Sequence, residues 1–278
     1  MAHVERFAPS PTGPLHLGHA FSALLAWDRA QANHGKFLLR IEDIDQSRAR
    51  PEWEAQIIAD LAWLGITWPK PVLRQSNRLS AYRSALKNLW KRGLLYPCTC
   101  TRRDIAVATQ APQEGTPLFG PDDMIYPGTC RTNPTGDMPE AALRLNLRAA
   151  MQGAAFHFEE TGLNAGLVSF TAHEALETIG DITLARRDIA TSYHLSVVLD
   201  DAFQGVTHVT RGQDLFEATK IHVILQKLLG LPTPVYHHHT LIRDENGKRL
   251  AKRDDARAIA KYRADGAAPE DIRRMVGL

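Results

Sequence analysis

His16 and His19 stand three residues apart, flank Gly18, and follow the segment Arg6-Phe7-Ala8-Pro9-Ser10-Pro11-Thr12-Gly13-Pro14. A short apolar strand is expected over Val4 to Ala8, then a Pro- and Gly-rich turn. A helix is expected over Ala20 to Ala32, with Leu24, Leu25, Trp27 and Ala30 among its apolar positions. A helix start placed directly after a strand offers backbone N–H groups and the positive end of the helix dipole to an anion. Two imidazoles there can donate hydrogen bonds to phosphoryl oxygens, and Gly18 keeps the place uncrowded. A tight strand–helix turn with incidental histidines is the alternative reading of His-x-Gly-His by itself. The whole stretch from Arg6 to His19 favours the phosphate site.

Cys98-x-Cys100 and Tyr126-x3-Cys130 form a second constellation. Three cysteines suit a disulfide framework poorly, being odd in number, and three thiolates suit zinc. A closed tetrahedral site needs a fourth ligand. No histidine lies near until His157, so the phenol of Tyr126 is the candidate, although tyrosine is a rare ligand. Three reduced, buried thiols are the alternative. Four protein ligands leave no open position, so such a metal is structural.

Bulk properties exclude several classes. With 278 residues, 44% hydrophobic and 23% charged, the chain reads as a soluble globular protein able to hold one large domain and an insertion. The N-terminus Met1-Ala2-His3-Val4-Glu5-Arg6 has no signal-peptide core and no apolar run approaches a membrane span, so a cytoplasmic protein without a membrane partner is expected. A net charge of +2 does not announce nucleic-acid binding. Lys248 to Arg257, with five Lys or Arg against two Asp, supplies a local basic surface or a solvated loop. No Gly-x-x-x-x-Gly-Lys-Ser/Thr loop is present, which disfavours a P-loop nucleotidase.

The elements around these residues read as α/β. Phe37 to Ile41 is a second buried strand, and helices are expected over Glu52 to Leu64, stopped by Gly65, and over Leu79 to Arg92, stopped by Gly93. Such alternation argues for a parallel sheet with crossover helices. From Tyr96 the character changes, and residues 98–140 are rich in Pro, Gly, Thr and Asp, with a loop at Gln110 to Pro117. Leu143 to Leu147 and Phe156 to Phe158 alternate like strands. Nucleotide-fold character returns over Ser192 to Leu199 and Gly205 to Thr210, followed by a helix over Phe216 to Leu229 closed by Gly230. Asp200 and Asp201 read as turn and helix-capping residues.

Arg6 to His19 resembles the HIGH signature of class I aminoacyl-tRNA synthetases in its glutamyl form. The resemblance continues through Arg40-Ile41-Glu42-Asp43-Ile44-Asp45, Leu199-Asp200-Asp201-Ala202 and Gly205-Val206-Thr207-His208-Val209-Thr210-Arg211-Gly212. It ends in Gly247-Lys248-Arg249-Leu250-Ala251-Lys252-Arg253, which looks like a degenerate KMSKS loop with Arg249 and Ala251 in place of the family's Lys and Ser. It implies a Rossmann-like parallel sheet carrying an inserted α+β, zinc-bearing subdomain and a short helical C-terminal segment. The expected divisions are 1–97 and 191–242 for the catalytic halves, 98–190 for the insertion, and 243–278 for the loop and C-terminal helices. Only about 25 residues follow Arg253, where glutamyl synthetases continue into an anticodon-binding region. A shortened body of this kind is similar to the glutamyl-queuosine tRNA(Asp) synthetases.

The resemblance also implies roles. ATP, with Mg2+, meets Pro9, His16, Gly18, His19, Arg249 and Lys252; His16, His19 and Lys252 act on the triphosphate. Arg6, Arg211 and Tyr193 take the side-chain carboxylate of L-glutamate, while Ser10 and Glu42 take its ammonium. A structural ion pair is the alternative for Arg6 and Glu42. Cys98, Cys100, Tyr126 and Cys130 hold one structural Zn2+, tyrosine at this spacing being a ligand in the resembling family. The RNA partner is the queuosine-bearing anticodon stem–loop of tRNA(Asp), and a monomer is expected. Two alternatives stay open: a minimal glutamyl-tRNA synthetase charging a 3′ end, and a catalytically silent zinc- and RNA-binding module.

Overall fold

The computed structural model describes residues 2–109, 119–133, 135–151, 155–242 and 257–278. β1 (Val4–Phe7), α1 (Leu17–Ala32), β2 (Lys36–Ile41), α2 (Pro51–Trp63) and β3 (Leu73–Arg74) make the first strand–helix repeat, followed by α3 (Leu79–Lys91) and β4 (Leu95–Pro97). Next come α4 (Arg102–Thr109), β5 (Phe119–Gly120), β6 (Asp123–Met124), β7 (Leu143–Leu145) and α5 (Leu147–Ala150). β8 (Phe156–Glu160), β9 (Gly166–Phe170), α6 (Ala172–Thr178) and β10 (Thr183–Ala185) lead to α7 (Tyr193–Gln204), β11 (His208–Gly212), α8 (Ala218–Leu229) and β12 (Val235–His239). Helices α9 (Ile259–Ala264) and α10 (Pro269–Val276) complete the C-terminal part. Among the described residues no helix is long and apolar enough to cross a membrane.

Two ladders meet edge to edge. In one, β1, β2 and β3 pair in parallel; in the other, β11, β12 and β8 run parallel with β9 antiparallel outside. β1 and β11 are held together where Thr207 N donates to Val4 O at 3.0 Å and Val4 N donates to Thr207 Oγ1 at 2.8 Å. Beyond that point the buried Glu5 carboxylate accepts from Thr210 N and Oγ1 at 3.2 and 3.0 Å, standing where a ladder bond would. Arg29 Nε, 3.2 Å away, balances its charge. Across both ladders the order is β3-β2-β1-β11-β12-β8-β9. It reverses direction between β1 and β11, where doubly wound sheets bind their ligands.

Alternation along β2 sends Phe37, Leu39 and Ile41 into one core with α1, α2 and α10, while Leu38 packs against the other, formed largely by α3, α7 and α8. The expected strand over Leu143 to Leu147 ends early, because the Asn146 side chain accepts from Ala149 N at 3.2 Å and caps α5. Helix α1 begins three residues before the expected Ala20, for a reason that lies in the two histidines. Helices α2 and α8 end at Gly65 and Gly230, whose φ of +80° and +66° favours glycine. The loop expected at Gln110 to Pro117 lies outside the described residues.

Asp200 and Asp201 correct the capping expectation: both lie within α7 and are buried, at 0% and 3% exposure. Asp201 Oδ1 accepts from Arg40 Nη1 at 2.7 Å and from Arg6 Nε at 3.1 Å, and Arg40 Nη2 donates to Glu42 at 3.2 Å. Asp200 accepts from Tyr82 Oη at 2.7 Å, and from Gln75 Nε2 and Arg78 Nε at 3.0 Å each. One pair of adjacent acids thus ties α7 to β1, β2 and α3. Burial alone would lift the Asp201 carboxyl, but Arg6 and Arg40 outweigh it and hold it below the usual range. A depressed carboxylate stabilises the fold above its unfolded value, about pH 4, and loses that contribution as pH falls through the folded value. Asp201→Ala, which strands Arg40 without its counter-charge, should cost about 3–5 kcal/mol in urea unfolding and flatten the acid dependence of stability. A change under about 1 kcal/mol would remove the pair from the structural account.

Candidate active site

Each strand end at the switch point delivers side chains into one cavity of about 340 Å³. Arg6, Phe7 and Ala8 come from the end of β1, Arg211 and Gly212 from β11, His239 from β12, Glu42 from just beyond β2, and Tyr193 from the first turn of α7. His16, Gly18, His19 and Ser22 come from the start of α1.

The two histidines build the helix start that they occupy. His16 is the N-cap of α1 and its Nδ1 accepts from Gly18 N at 3.1 Å, while His19 Nδ1 accepts from His16 N at 3.2 Å. This reciprocal cap satisfies two helix N–H groups and starts the helix at Leu17. Because each Nδ1 accepts, the neutral rings carry their protons on Nε2. The rings lie 3.8 Å apart by centroids. A Cβ on Gly18 would come within 3.1 Å of the His16 ring, so glycine makes room for it.

Arg6 and Arg211 are both buried but differently held. Arg6 touches the carboxylate of Asp201. Arg211 donates to His238 Nε2 and His222 Nδ1 at 3.2 Å each, to Thr219 Oγ1 at 2.6 Å and to Leu215 O at 3.3 Å. Burial, with the Arg211 charge adding to it, pushes His222 well below its ordinary value and draws His238 down to about 4. A guanidinium only donates, so the ring nitrogens that face it accept. Burial lifts Glu42 above the usual carboxylate range, against the pull of Arg40 and Arg6. The alternative of a direct Arg6–Glu42 pair is replaced by this wider cluster, in which Arg6 bonds Asp201 and Arg40 bonds Glu42.

The remaining sequence candidates fall around this cavity. Ser10 lines an adjacent cavity of about 310 Å³ that shares Glu42 and Tyr193 and extends to Arg48 and Arg186. Pro9 offers its carbonyl to Glu42 N at 3.0 Å and so fixes the residue next to the site. Arg249, Ala251 and Lys252 lie outside the described residues. The described residues on either side of them converge on the cavity: Leu241 and Ile242 line it, and Ile259 N donates to Leu15 O at 2.8 Å beside the His16–Ala258 bridge. Sequence reasoning missed Arg40, Asp201, His222 and His238 as site supports; the Asp pair and the run Tyr236-His237-His238-His239 were the available signals.

The cysteine constellation is assembled elsewhere. Cys98, Cys100 and Cys130 place their sulfurs within 4.8 Å of one another. Tyr126 Oη lies 3.5 Å from Cys98 Sγ and 3.3 Å from Cys100 Sγ, and accepts from Cys130 N at 2.8 Å. Tetrahedral zinc with Zn–S near 2.3 Å sets neighbouring sulfurs about 3.8 Å apart, so three thiols and one phenol fit that donor set. Hydrogen bonds from the Tyr126 hydroxyl and from the backbone at Thr99 draw the Cys130 thiol down to about 6. Arg144 adds positive charge, with Nε 3.3 Å from Cys98 Sγ and its guanidinium 3.9 Å above the Tyr126 ring.

Comparison with known proteins gives the family. Residues 3–278 match the family described as tRNA synthetases class I (E and Q), catalytic domain. The glutamyl-Q tRNA(Asp) synthetase of Rhodobacter capsulatus is 64% identical over 280 residues, covering 99% of this chain and 100% of that protein. The protein of the same name from Symbiobacterium thermophilum is 42% identical, over 96% of this chain and 83% of its own. A glutamate tRNA ligase from Elizabethkingia meningosepticum, crystallised with its amino acid, superposes with a TM-score of 0.78 at 26% identity. That match covers 100% of this chain and 61% of the ligase, so this chain spans about three-fifths of it. The chain belongs to the class I tRNA synthetases of the E and Q type, in the branch of the glutamyl-Q tRNA(Asp) synthetases.

Proposed function

We propose that the crevice between β1 and β11 binds L-glutamate and ATP, forms glutamyl-adenylate without RNA, and passes glutamate to queuosine in the anticodon loop of tRNA(Asp). The chain is a ligase of the synthetase type. One observation carries the reading: two guanidinia, a carboxylate and a phenol share a cavity with two imidazoles at a helix start. Arg211 and Arg6, with Tyr193, take the side-chain carboxylate, and Glu42 and Ser10 take the ammonium. The α-carboxylate is then left to react. Its oxygen attacks the α-phosphorus of ATP, the bond to the β-phosphate bridging oxygen breaks, and pyrophosphate leaves. His16 and His19 donate through Nε2 to phosphoryl oxygens, and Lys252 and Arg249 supply further positive charge to the triphosphate. Mg2+ enters with the triphosphate, held mostly by its oxygens and water.

Transfer follows when a hydroxyl of the queuosine cyclopentenediol attacks the adenylate carbonyl and AMP leaves. That diol imitates the terminal ribose diol of a tRNA, and an A-form stem with unstacked loop bases resembles an acceptor stem in shape. Identity of 64% along the full length of a relative named for this reaction supports the acceptor. On this reading residues 1–97 and 191–242 are catalytic halves, 98–190 the zinc-bearing insertion, and 243–278 the KMSKS-like loop with the C-terminal helices. The protein works as a cytoplasmic monomer.

Glutamate-dependent exchange of pyrophosphate into ATP should proceed without tRNA, and Arg211→Ala should lose about 2–4 kcal/mol of transition-state binding. An anticodon stem–loop of tRNA(Asp) bearing queuosine should accept glutamate while its guanosine counterpart does not. Charging of the 3′ adenosine of tRNA(Glu) instead would refute the proposed acceptor, and exchange that requires tRNA would refute the activation step.

Cys98, Cys100, Cys130 and Tyr126 hold one structural zinc. Purified protein should contain about one zinc per chain, and Cys98→Ser or Cys130→Ser should lower zinc content and thermal stability together. Tyr126→Phe with full occupancy and unchanged affinity would replace the fourth ligand.

A further inference from the structure

The hydrogen bonds of Arg211 continue past its first partners. A guanidinium only donates, so His222 Nδ1 and His238 Nε2 accept, and each ring carries its proton on the opposite nitrogen. For His238 that nitrogen is Nδ1, 2.5 Å from Glu160 Oε2. For His222 it is Nε2, which donates to His194 Nδ1 at 3.1 Å. His194 then donates through its own Nε2 to Asp122 Oδ1 at 3.1 Å. Donors thus run in one direction from Arg211 through His222 and His194 to Asp122.

Neutral acceptors do for Arg211 what a carboxylate could not. Asp201, in contact with Arg6, cancels part of that cation's field. Imidazole nitrogens orient Arg211 but leave its charge for an incoming anion, while Glu160 and Asp122 stand one and two rings away. Asp122 does not line the cavity that holds Arg211; it lines the adjacent one, with Ser10 and His194. It lies in the turn between β5 and β6, on the cysteine-bearing side, and its side chain is 41% exposed. The hairpin sits close against the end of α6, where a Cβ on Gly120 would come within 2.5 Å of Thr178 O.

We infer that His222, held by His194 and Asp122, is a positioning residue for Arg211, and that the Asp122 hairpin tunes how tightly the site takes an acidic side chain. The inference rests on Arg211 being the partner of the substrate's side-chain carboxylate. It is tested by pyrophosphate exchange on the full chain without RNA, with glutamate and ATP varied separately. His222→Leu leaves an Arg211 N–H unmatched, and should raise the glutamate KM about 10- to 100-fold while kcat stays within about threefold and the ATP KM holds. Asp122→Ala, at a half-exposed position that does not threaten folding, should raise the glutamate KM about fivefold. Asp122→Asn, which keeps an acceptor oxygen for His194, should restore nearly normal values. An active wild type whose Asp122→Ala and His222→Leu variants keep its glutamate KM overturns the inference and leaves the reading of the cavity intact. Equal shifts in both KM values and in kcat for Asp122→Ala also overturn it, because positioning of Arg211 bears on glutamate alone. A wild type without glutamate-dependent exchange overturns the inference together with the reading beneath it.

Discussion

A buried carboxylate shared by two guanidinia is the constraint on which the rest depends. Asp201 of α7 reaches across to Arg6 on β1 and Arg40 on β2, and Arg40 reaches on to Glu42. Four formal charges come to zero among largely buried side chains, and removing any one of them strands a partner. The arrangement fixes two side chains that face the cavity, Arg6 and Glu42, by means of two that do not, Arg40 and Asp201. Since Arg40 is fully buried, it has no solvent to retreat to. The same helix turn places Asp200 on Tyr82, Gln75 and Arg78, so the position of α7 against the sheet is set from two directions.

Economy of this kind recurs at the helix start. His16 and His19 spend their Nδ1 atoms on capping α1, and that bond assigns the Nε2 proton which a phosphate would meet. On the proposed reading, structure and chemistry sit on opposite edges of the same ring. Arg211 follows a different rule: it donates to two imidazole nitrogens, a hydroxyl and a carbonyl rather than to a carboxylate. Of two arginines in one cavity, one is anchored by a carboxylate and the other by acceptors that are not carboxylates.

Much of this was legible in the chain. Strand, turn and helix around Arg6 to His19 follow from local pattern, and the Cys and Tyr spacing predicted donors that the fold brings together. What the sequence hid is tertiary. Asp200-Asp201 looks like a capping pair because two adjacent acids on a helix ordinarily face water; only packing against Arg40 and Tyr82 makes burial tolerable. Strand β12 was obscured because His237, His238 and His239 look polar, although His238 is fully buried by bonds to Glu160 and Arg211. Helix α4 went unseen within a stretch whose composition reads as loop. Pairings between residues nearly two hundred positions apart leave no trace in spacing.

Whether glutamate and ATP share the crevice between β1 and β11 is decided by a crystal structure with a non-hydrolysable glutamyl-adenylate analogue. The analogue's side-chain carboxylate should lie on Arg211 and Arg6, its ammonium at Glu42, and its phosphate surrogate at the start of α1 beside His16 and His19. An analogue seated with its carboxylate away from both arginines, or with its nucleotide remote from α1, would contradict a shared crevice.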